Sequence, residues 1–389
     1  RAFDASLLDS NPLIVDAIFG TGLSKPLDSK VVGIIQEITK RKLTVIAIDI
    51  PSGVNADNGA VMGGAFIATI TVTFMRKKRG HLLLSGKVHC GEVLVANIGI
   101  PNEIMQRMYP NVWENDPALW LPVFPDVKSD SHKYSRGHSI VFGGGIAQTG
   151  AAKLAARAAL RSGAGLVSVA CDDESLPVYA TSFSSIMTKP ICSSEAFCKL
   201  VEDVRVTSII IGPGAGINEH TRQCVLSALR MGKKMVIDAD AISAFAETPE
   251  ILFNQLSSDS VLTPHEGEFE RLFKLEVGAA SKLERAKYAA KLSNATILLK
   301  GADTVIASPD GRAVINANAS PDLATAGSGD VLSGICGGLM AQGMPTFEAV
   351  CAAVWMHGFA SVSIGAGLIA EDLTEAIPPT VKMLRELKG

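Results

Sequence analysis

The sequence predicts an α/β protein of two domains, each built on a mainly parallel sheet. Three observations predict this. The chain has 389 residues, enough for two or three domains at roughly 100 to 200 residues each. Apolar runs alternate with helical patterns in two separate series. Between Pro101 and Ser135 that alternation breaks into proline-rich, polar sequence with isolated tryptophans.

In the first series the apolar runs are Leu13 to Phe19, Leu43 to Ile50, Ala68 to Phe74 and Glu92 to Ile98, with a helical pattern from Val31 to Lys40. Strands separated by a helix pair in parallel, because the crossover returns the chain to the same sheet end. The second series begins at Ser139 to Phe142. It continues through Leu166 to Cys171, Ser208 to Ile211, Met235 to Asp238, Ser260 to Thr263 and Thr296 to Lys300. The expected organisation is a first domain over 1–112, a linker over 113–135 and a second, doubly wound domain over 136–389.

Composition narrows the function classes. Hydrophobic residues at 47% and charged residues at 19% exclude a disordered chain. A net charge of -3 provides no global attraction to nucleic acid or anionic membrane, so an anionic ligand must be held locally. Seven scattered cysteines without a C-x-x-C pair read as reduced thiols in a cytoplasmic protein. The chain opens on Arg1 with a core strand expected within a dozen residues, which reads as a start inside a domain, with no signal peptide. Ala349 to Ala370 lacks Asp, Glu, Lys and Arg, but His357, Ser361 and several glycines make it a buried core helix and turn rather than a membrane span.

In open α/β sheets ligands sit beyond the carboxyl ends of the strands. There the second domain carries Gly212-Pro213-Gly214-Ala215-Gly216, Asp238-Ala239-Asp240, Pro264-His265-Glu266 and Lys300-Gly301-Ala302-Asp303-Thr304. The sharpest feature is Ala326-Gly327-Ser328-Gly329-Asp330, which opens a small-residue helix. Its glycines let backbone N–H groups and the helix N-terminus cradle an anion. Asp330 there is expected to stay ionised and to accept the proton of an attacking hydroxyl, or else to serve as a cap. Lys300 and Gly301 suit a nucleotide phosphate or a solvated strand end. His265 suits a substrate contact or a cap. Asp238 and Asp240 suit a metal, its waters or an ordinary turn. Gly143-Gly144-Gly145 to Gly150-Ala151-Ala152 lacks the G-x-G-x-x-G spacing and reads as a wall of the substrate site. In the first domain Asp16 with Phe19-Gly20-Thr21-Gly22-Leu23, and Asp49-Ile50-Pro51-Ser52-Gly53, suit a ligand, a hard cation or common βα turns. Arg76-Lys77-Lys78-Arg79 suits a phosphate or a solvated face.

Taken together and in this order, I-G-P-G-A-G, V-I-D-A-D-A, L-T-P-H-E-G-E-F, L-L-K-G-A-D-T-V and L-A-T-A-G-S-G-D-V-L-S-G resemble the ADP-dependent NAD(P)H-hydrate dehydratases of the ribokinase-like fold. V-D-A-I-F-G-T-G-L and A-I-D-I-P-S-G-V-N-A-D-N-G resemble the later half of a Rossmann-like NAD(P)H-hydrate epimerase domain. The resemblance implies that Ala151, Gly214 and His265 line the hydrated nicotinamide site. It implies that Lys300, Gly301, Ala302, Asp303, Thr304 and Gly329 bind the adenine nucleotide, and that Asp330 acts on the substrate. In the epimerase half it implies Asp16 and Ser52 as potassium ligands, with Gly20, Thr21, Gly22, Leu23, Ser24, Lys25, Pro26 and Asp49 at the substrate.

The implied activity is metabolite repair. The C6 hydroxyl of (6S)-NAD(P)H hydrate attacks the β-phosphate of ADP with help from Asp330 and releases AMP; the ring nitrogen then expels phosphate and restores NAD(P)H. Mg²⁺ offsets the phosphate charge through water to Asp238 or Asp240. The implied substrates are NADHX and NADPHX, with a homo-oligomeric enzyme and no nucleic-acid or membrane partner. The family's N-terminal Asn-Asn-Gly-Gly-Asp loop does not occur in this sequence. Epimerisation is therefore expected of an intact protein rather than of this chain. A ribokinase-like small-molecule kinase and a non-catalytic nucleotide-binding protein also fit the residues.

Overall fold

A computed structural model describes residues 3–107, 110–275 and 280–389. Two units divide the chain, Arg1–Asn111 and Val112–Gly389.

The first unit holds strands β1 (Ile14–Asp16), β2 (Val45–Ile48), β3 (Ile70–Phe74) and β4 (Glu92–Ala96), all parallel and in that spatial order. The helix Ser29–Lys40 crosses from β1 to β2, its first turn capped by the Asp28 side chain. Ile35 and Ile38 on that helix bury against Val45, Ala47 and Phe66. Alternation along β2 follows from this, with Val45 and Ala47 buried and Ile46 and Ile48 half-buried.

The second unit is a ten-stranded sheet. Its strands are β5 (Val112–Glu114), β6 (His138–Phe142), β7 (Leu166–Cys171), β8 (Met187–Pro190), β9 (Val206–Ile211), β10 (Lys234–Ile237), β11 (Ser260–Leu262), β12 (Thr296–Leu299), β13 (Val305–Ala307) and β14 (Ala313–Ile315). Their order is β5-β14-β13-β12-β11-β10-β9-β6-β7-β8. From β12 to β8 every pair is parallel, while β13 runs antiparallel to both its neighbours. The chain winds outward from β6 in both directions, which creates a switch point between β6 and β9.

The stretch 113–135 is not a linker. Glu114 and its neighbours pair with β14, and Trp120 and Phe124 lie in the hydrophobic core of the second unit. Trp120 donates its indole N–H to Asn115, 3.1 Å away. The prolines that suggested a linker instead open two short 3-10 turns, Pro117–Leu119 and Leu121–Val123. Strands β8, β13 and β14 were not anticipated, because their short runs stand outside the alternation of strand and helix that marked the others. The β13–β14 hairpin turns at Ser308-Pro309-Asp310-Gly311, a turn signature that was legible.

The helix Ser328–Ala341 packs on the helix Thr149–Arg161, and both are made of small residues for a steric reason. A methyl group on Gly334 would lie 2.3 Å from the carbonyl oxygen of Ala155, so the backbones meet directly. The expected core helix, Thr346–Ile364, closes the same side of the sheet. Among the described residues it is the one helix long and apolar enough to cross a membrane, and two thirds of it is buried in the fold. All seven cysteines are free thiols. Gly334→Val is expected to destabilise the second unit by about 2–3 kcal/mol through overpacking. A denaturant midpoint equal to the wild type would contradict the close approach.

Candidate active site

The switch point brings two glycine loops into contact. Gly143 to Gly145 follow β6 and Gly212 to Gly216 follow β9. A methyl on Gly144 would sit 2.0 Å from the Gly214 carbonyl oxygen, and one on Gly214 would sit 3.5 Å from the Ala151 Cβ. Gly214 has φ 65°, a left-handed conformation that glycine adopts without strain. Ala151 and Gly214 therefore share one wall.

Next along the sheet, Asp238 follows β10 and Lys300 follows β12. Lys300 Nζ lies 2.9 Å from Asp238 Oδ1, and the Ser333 hydroxyl donates to Asp238 Oδ2 at 2.6 Å. Burial opposes both charges, and each charge outweighs it for the other. Asp238 stays below the usual carboxylate range and Lys300 above the usual lysine value. Asp240 accepts from the Gly216 backbone N–H at 2.8 Å and so ties the β10 turn to the β9 loop.

Asp330 lies in the first turn of the Ser328–Ala341 helix, which starts from Gly327 at φ 85°. Ser333, one turn later, is the residue bonded to Asp238. Burial pushes the Asp330 carboxyl up to about 6; Asp238 and Asp240 add to the rise and Lys300 opposes it. Asp330 is still ionised at neutral pH, but burial and two neighbouring carboxylates bring its protonation much closer to neutrality than a helix N-terminus alone would. The outcome suits proton transfer better, because a group titrating near 6 is ionised at neutral pH and still accepts a proton readily. A methyl on Gly329 would lie 3.5 Å from Lys300 Nζ, so the glycine turn and the lysine face one space.

The Gly301 to Thr304 turn closes on itself, with Thr304 Oγ1 donating to the Gly301 carbonyl at 2.7 Å. Lys282 underlies it, bonding the Lys300 carbonyl at 3.0 Å and Asp303 at 2.8 Å. Arg285 grips Glu266 through two bonds of 2.8 and 3.1 Å, and the Glu266 side chain is 3.6 Å from Lys282. His265 caps the helix Glu266–Phe273: Nδ1 accepts from the backbone N–H groups of Gly267 and Glu268, at 3.0 and 3.3 Å. The capping alternative is thus realised, and the half-exposed ring turns Nε2 toward Glu268, 3.4 Å away.

In the first unit Asp16 ends β1 and is almost fully buried. It accepts from the Ser52 backbone N–H and hydroxyl, each at 2.6 Å, while the Ser52 oxygen accepts from the Phe19 N–H at 2.8 Å. Burial pushes the Asp16 carboxyl up, against these bonds. Asp49 follows β2 and turns Oδ2 toward Gly20, where a methyl would lie 3.7 Å away.

Two family models cover the chain in this order. Residues 3–80 match that of the YjeF-related protein N-terminus, and residues 139–379 match that described as NAD(P)H-hydrate dehydratase. The chain belongs to the bifunctional NAD(P)H-hydrate repair enzymes. The repair enzyme of Salinibacter ruber is 35% identical over 384 residues, covering 94% of this chain and 71% of that protein. That of Moorella thermoacetica is 36% identical over 400 residues, covering 98% of this chain and 75% of that protein. Among solved structures, a ribokinase-like superfamily protein from Enterococcus faecalis superposes with a TM-score of 0.63 at 26% identity, over 70% of this chain and 96% of that one. The ADP/ATP-dependent NAD(P)H-hydrate dehydratase of Bacillus subtilis, co-crystallised with ATP and Mg²⁺, superposes with a TM-score of 0.60 at 28% identity, over 70% of this chain and 99% of that one.

This repair enzyme has a ribokinase-like dehydratase domain and an epimerase domain. Its structure unites Ala151 with Gly214, Lys300 with Gly329 and Asp330, Asp16 with Ser52, and Asp49 with Gly20. It leaves Thr21, Gly22, Ser24, Lys25 and Pro26 on the exposed side of their loop, with Leu23 half-buried. Sequence reasoning missed Lys282, Glu266 as a charge partner, and Arg285. The Ser281 and Glu284 capping box announced a helix there, but nothing in the sequence indicated that the helix reaches the Lys300 turn. Turnover that needs ionised Asp330 is expected to fall as pH drops through about 6. Asp240→Asn removes a neighbouring negative charge, so kcat/KM against pH should show this acid limb moved to lower pH.

Proposed function

We propose that the second unit dehydrates (6S)-NAD(P)H hydrate with ADP as phosphoryl donor, producing NAD(P)H, AMP and phosphate. One observation carries the reading: a carboxyl titrating near 6, Asp330, stands on a glycine turn beside the Lys300 ammonium. Asp330 takes the proton of the substrate C6 hydroxyl as that oxygen bonds to the β-phosphorus of ADP. The bond from that phosphorus to the AMP oxygen breaks. The ring nitrogen lone pair then expels phosphate from C6, and loss of the C5 proton restores the dihydronicotinamide. Lys300 and the backbone N–H groups of the Gly329 turn offset the growing phosphate charge.

The hard oxygen donors of Asp240 and Asp238 fit Mg²⁺ held through water with the nucleotide, where it would neutralise phosphate charge. Lys300 already satisfies Asp238, which favours Asp240 for this role. Ala302, Asp303 and Thr304, in the turn on Lys282, would flank the nucleotide; Ala151, Gly214 and His265 would flank the nicotinamide. The Bacillus subtilis relative crystallised with ATP and Mg²⁺ supports the nucleotide assignment. The same reading has NADHX and NADPHX as substrates and a cytoplasmic homo-oligomer without nucleic-acid or membrane partners.

Asp330→Asn is expected to bind ADP normally while recovery of NADH absorbance from NADH hydrate falls by about 100-fold or more. Near-normal recovery would remove Asp330 from the mechanism, and a stable phosphoester product would favour a kinase instead. In the first unit Asp16 and Ser52 present oxygen donors around a buried carboxylate, a set that fits K⁺. Ser52→Ala is expected to weaken the response of the protein's melting temperature to K⁺ over Na⁺. An unchanged response would count against that site.

A further inference from the structure

The basic run Arg76 to Arg79 has no place in the dehydratase chemistry, and its Lys78 is not a solvated charge. We infer that Lys78 is a positioning residue of the epimerase half, fixing the Asp49 carboxylate so that Oδ2 is presented to the substrate loop at Gly20. The inference rests on the reading of Asp49 as a substrate contact.

All three N–H groups of the Lys78 ammonium are engaged. They go to Asp49 Oδ1, to Thr73 Oγ1 at 2.8 Å and to the Phe74 carbonyl at 3.1 Å. Thr73 in turn donates to the same Asp49 Oδ1 at 3.0 Å. One carboxylate oxygen is thus bound twice, and the other faces Gly20. The backbone is clamped as well. Asp49 has φ 70°, an unfavourable conformation for a residue with a side chain, and it must be imposed by its surroundings. His81 supplies part of that constraint: its Nε2–H donates to the Asp49 carbonyl at 2.9 Å while Nδ1 accepts from the Lys78 backbone N–H at 2.9 Å. The Asp49 N–H also donates to Val72 at 2.7 Å.

One buried imidazole therefore holds the backbones of the two residues whose side chains form the ion pair. Asp49 closes β2 and Lys78 follows β3, so the assembly stands at the carboxyl end of adjacent parallel strands. Lys78 and His81 are the titratable groups in contact with Asp49. Burial pushes the Asp49 carboxyl up, and Lys78 with Thr73 outweighs it, leaving Asp49 below the usual carboxylate range. An ionised carboxylate with one oxygen fixed and one presented can accept a hydrogen bond or proton from a substrate hydroxyl.

The test compares wild type, Lys78→Met, Lys78→Arg and Asp49→Asn in the intact protein. Interconversion of the R and S hydrates is followed across pH, with ADP-dependent dehydration by the same samples as a control for the second unit. Carboxyl-¹³C-aspartate NMR titrates Asp49, its resonance assigned through Asp49→Asn, and the Asp16 resonance reports that the first unit is folded. Lys78→Met is expected to slow interconversion by about 100-fold, to move its acid limb to higher pH and to raise the pH at which Asp49 titrates. Lys78→Arg is expected to restore the titration and part of the rate. Unchanged titration of Asp49 in Lys78→Met would overturn the inference, as would a wild-type rate and acid limb alongside an inactive Asp49→Asn. Full interconversion by Asp49→Asn would instead overturn the placement of Asp49 at the substrate.

Discussion

The dehydratase unit depends on one buried ion pair, Lys300 with Asp238. Each residue follows a strand of the parallel sheet, and the fully buried Asp238 charge could not be held there without the half-buried lysine. Asp238 also binds Ser333, and Ser333 belongs to the helix that carries Asp330 one turn earlier. A single carboxylate therefore joins β10, β12 and the helix that carries Asp330. The same carboxylate repels Asp330 and helps to set its titration near neutrality, so the structural tie and the chemical tuning come from one group.

That arrangement needs the helix to approach very closely. Glycine at 334 and alanines along the Thr149–Arg161 helix remove the side chains that would hold the backbones apart. The Gly327 to Asp330 turn can then descend to the level of the strand ends. Small residues in both helices thus act on function through distance. The epimerase unit solves a similar problem differently, with Lys78 and His81 clamping Asp49 from beyond the next strand, and Ser52 satisfying Asp16 from beyond the adjacent strand β2. In both units a carboxylate just past or at a strand end is fixed by partners that follow another strand.

Much of the fold was legible because its signals are local. The seven-strand parallel block could be read from runs such as Leu166–Cys171, and the anion turn from Gly327, Gly329 and Asp330. Strands β8, β13 and β14 were not, because their short runs stand outside the alternation of strand and helix. Trp113 to Phe124 misled for a related reason: prolines and isolated aromatics have the same local appearance whether the chain is solvated or tucked into a core. Asp330 was found by its motif, but how far its carboxyl is pushed up was not legible, because that depends on its burial and on Asp238, Asp240 and Lys300, which the fold brings to it.

The sequence by itself determined the two α/β units, the glycine turns at the strand ends and the family that their order identifies. Those features follow from periodicity and backbone conformational preference, which act between neighbours in the chain. Only the tertiary structure decided which charges are paired. That Lys300 meets Asp238, that Lys282 supports the Lys300 turn and that Lys78 holds Asp49 depends on strand order. Coulomb energy and desolvation respond to distance in space, and the sheet topology alone sets those distances.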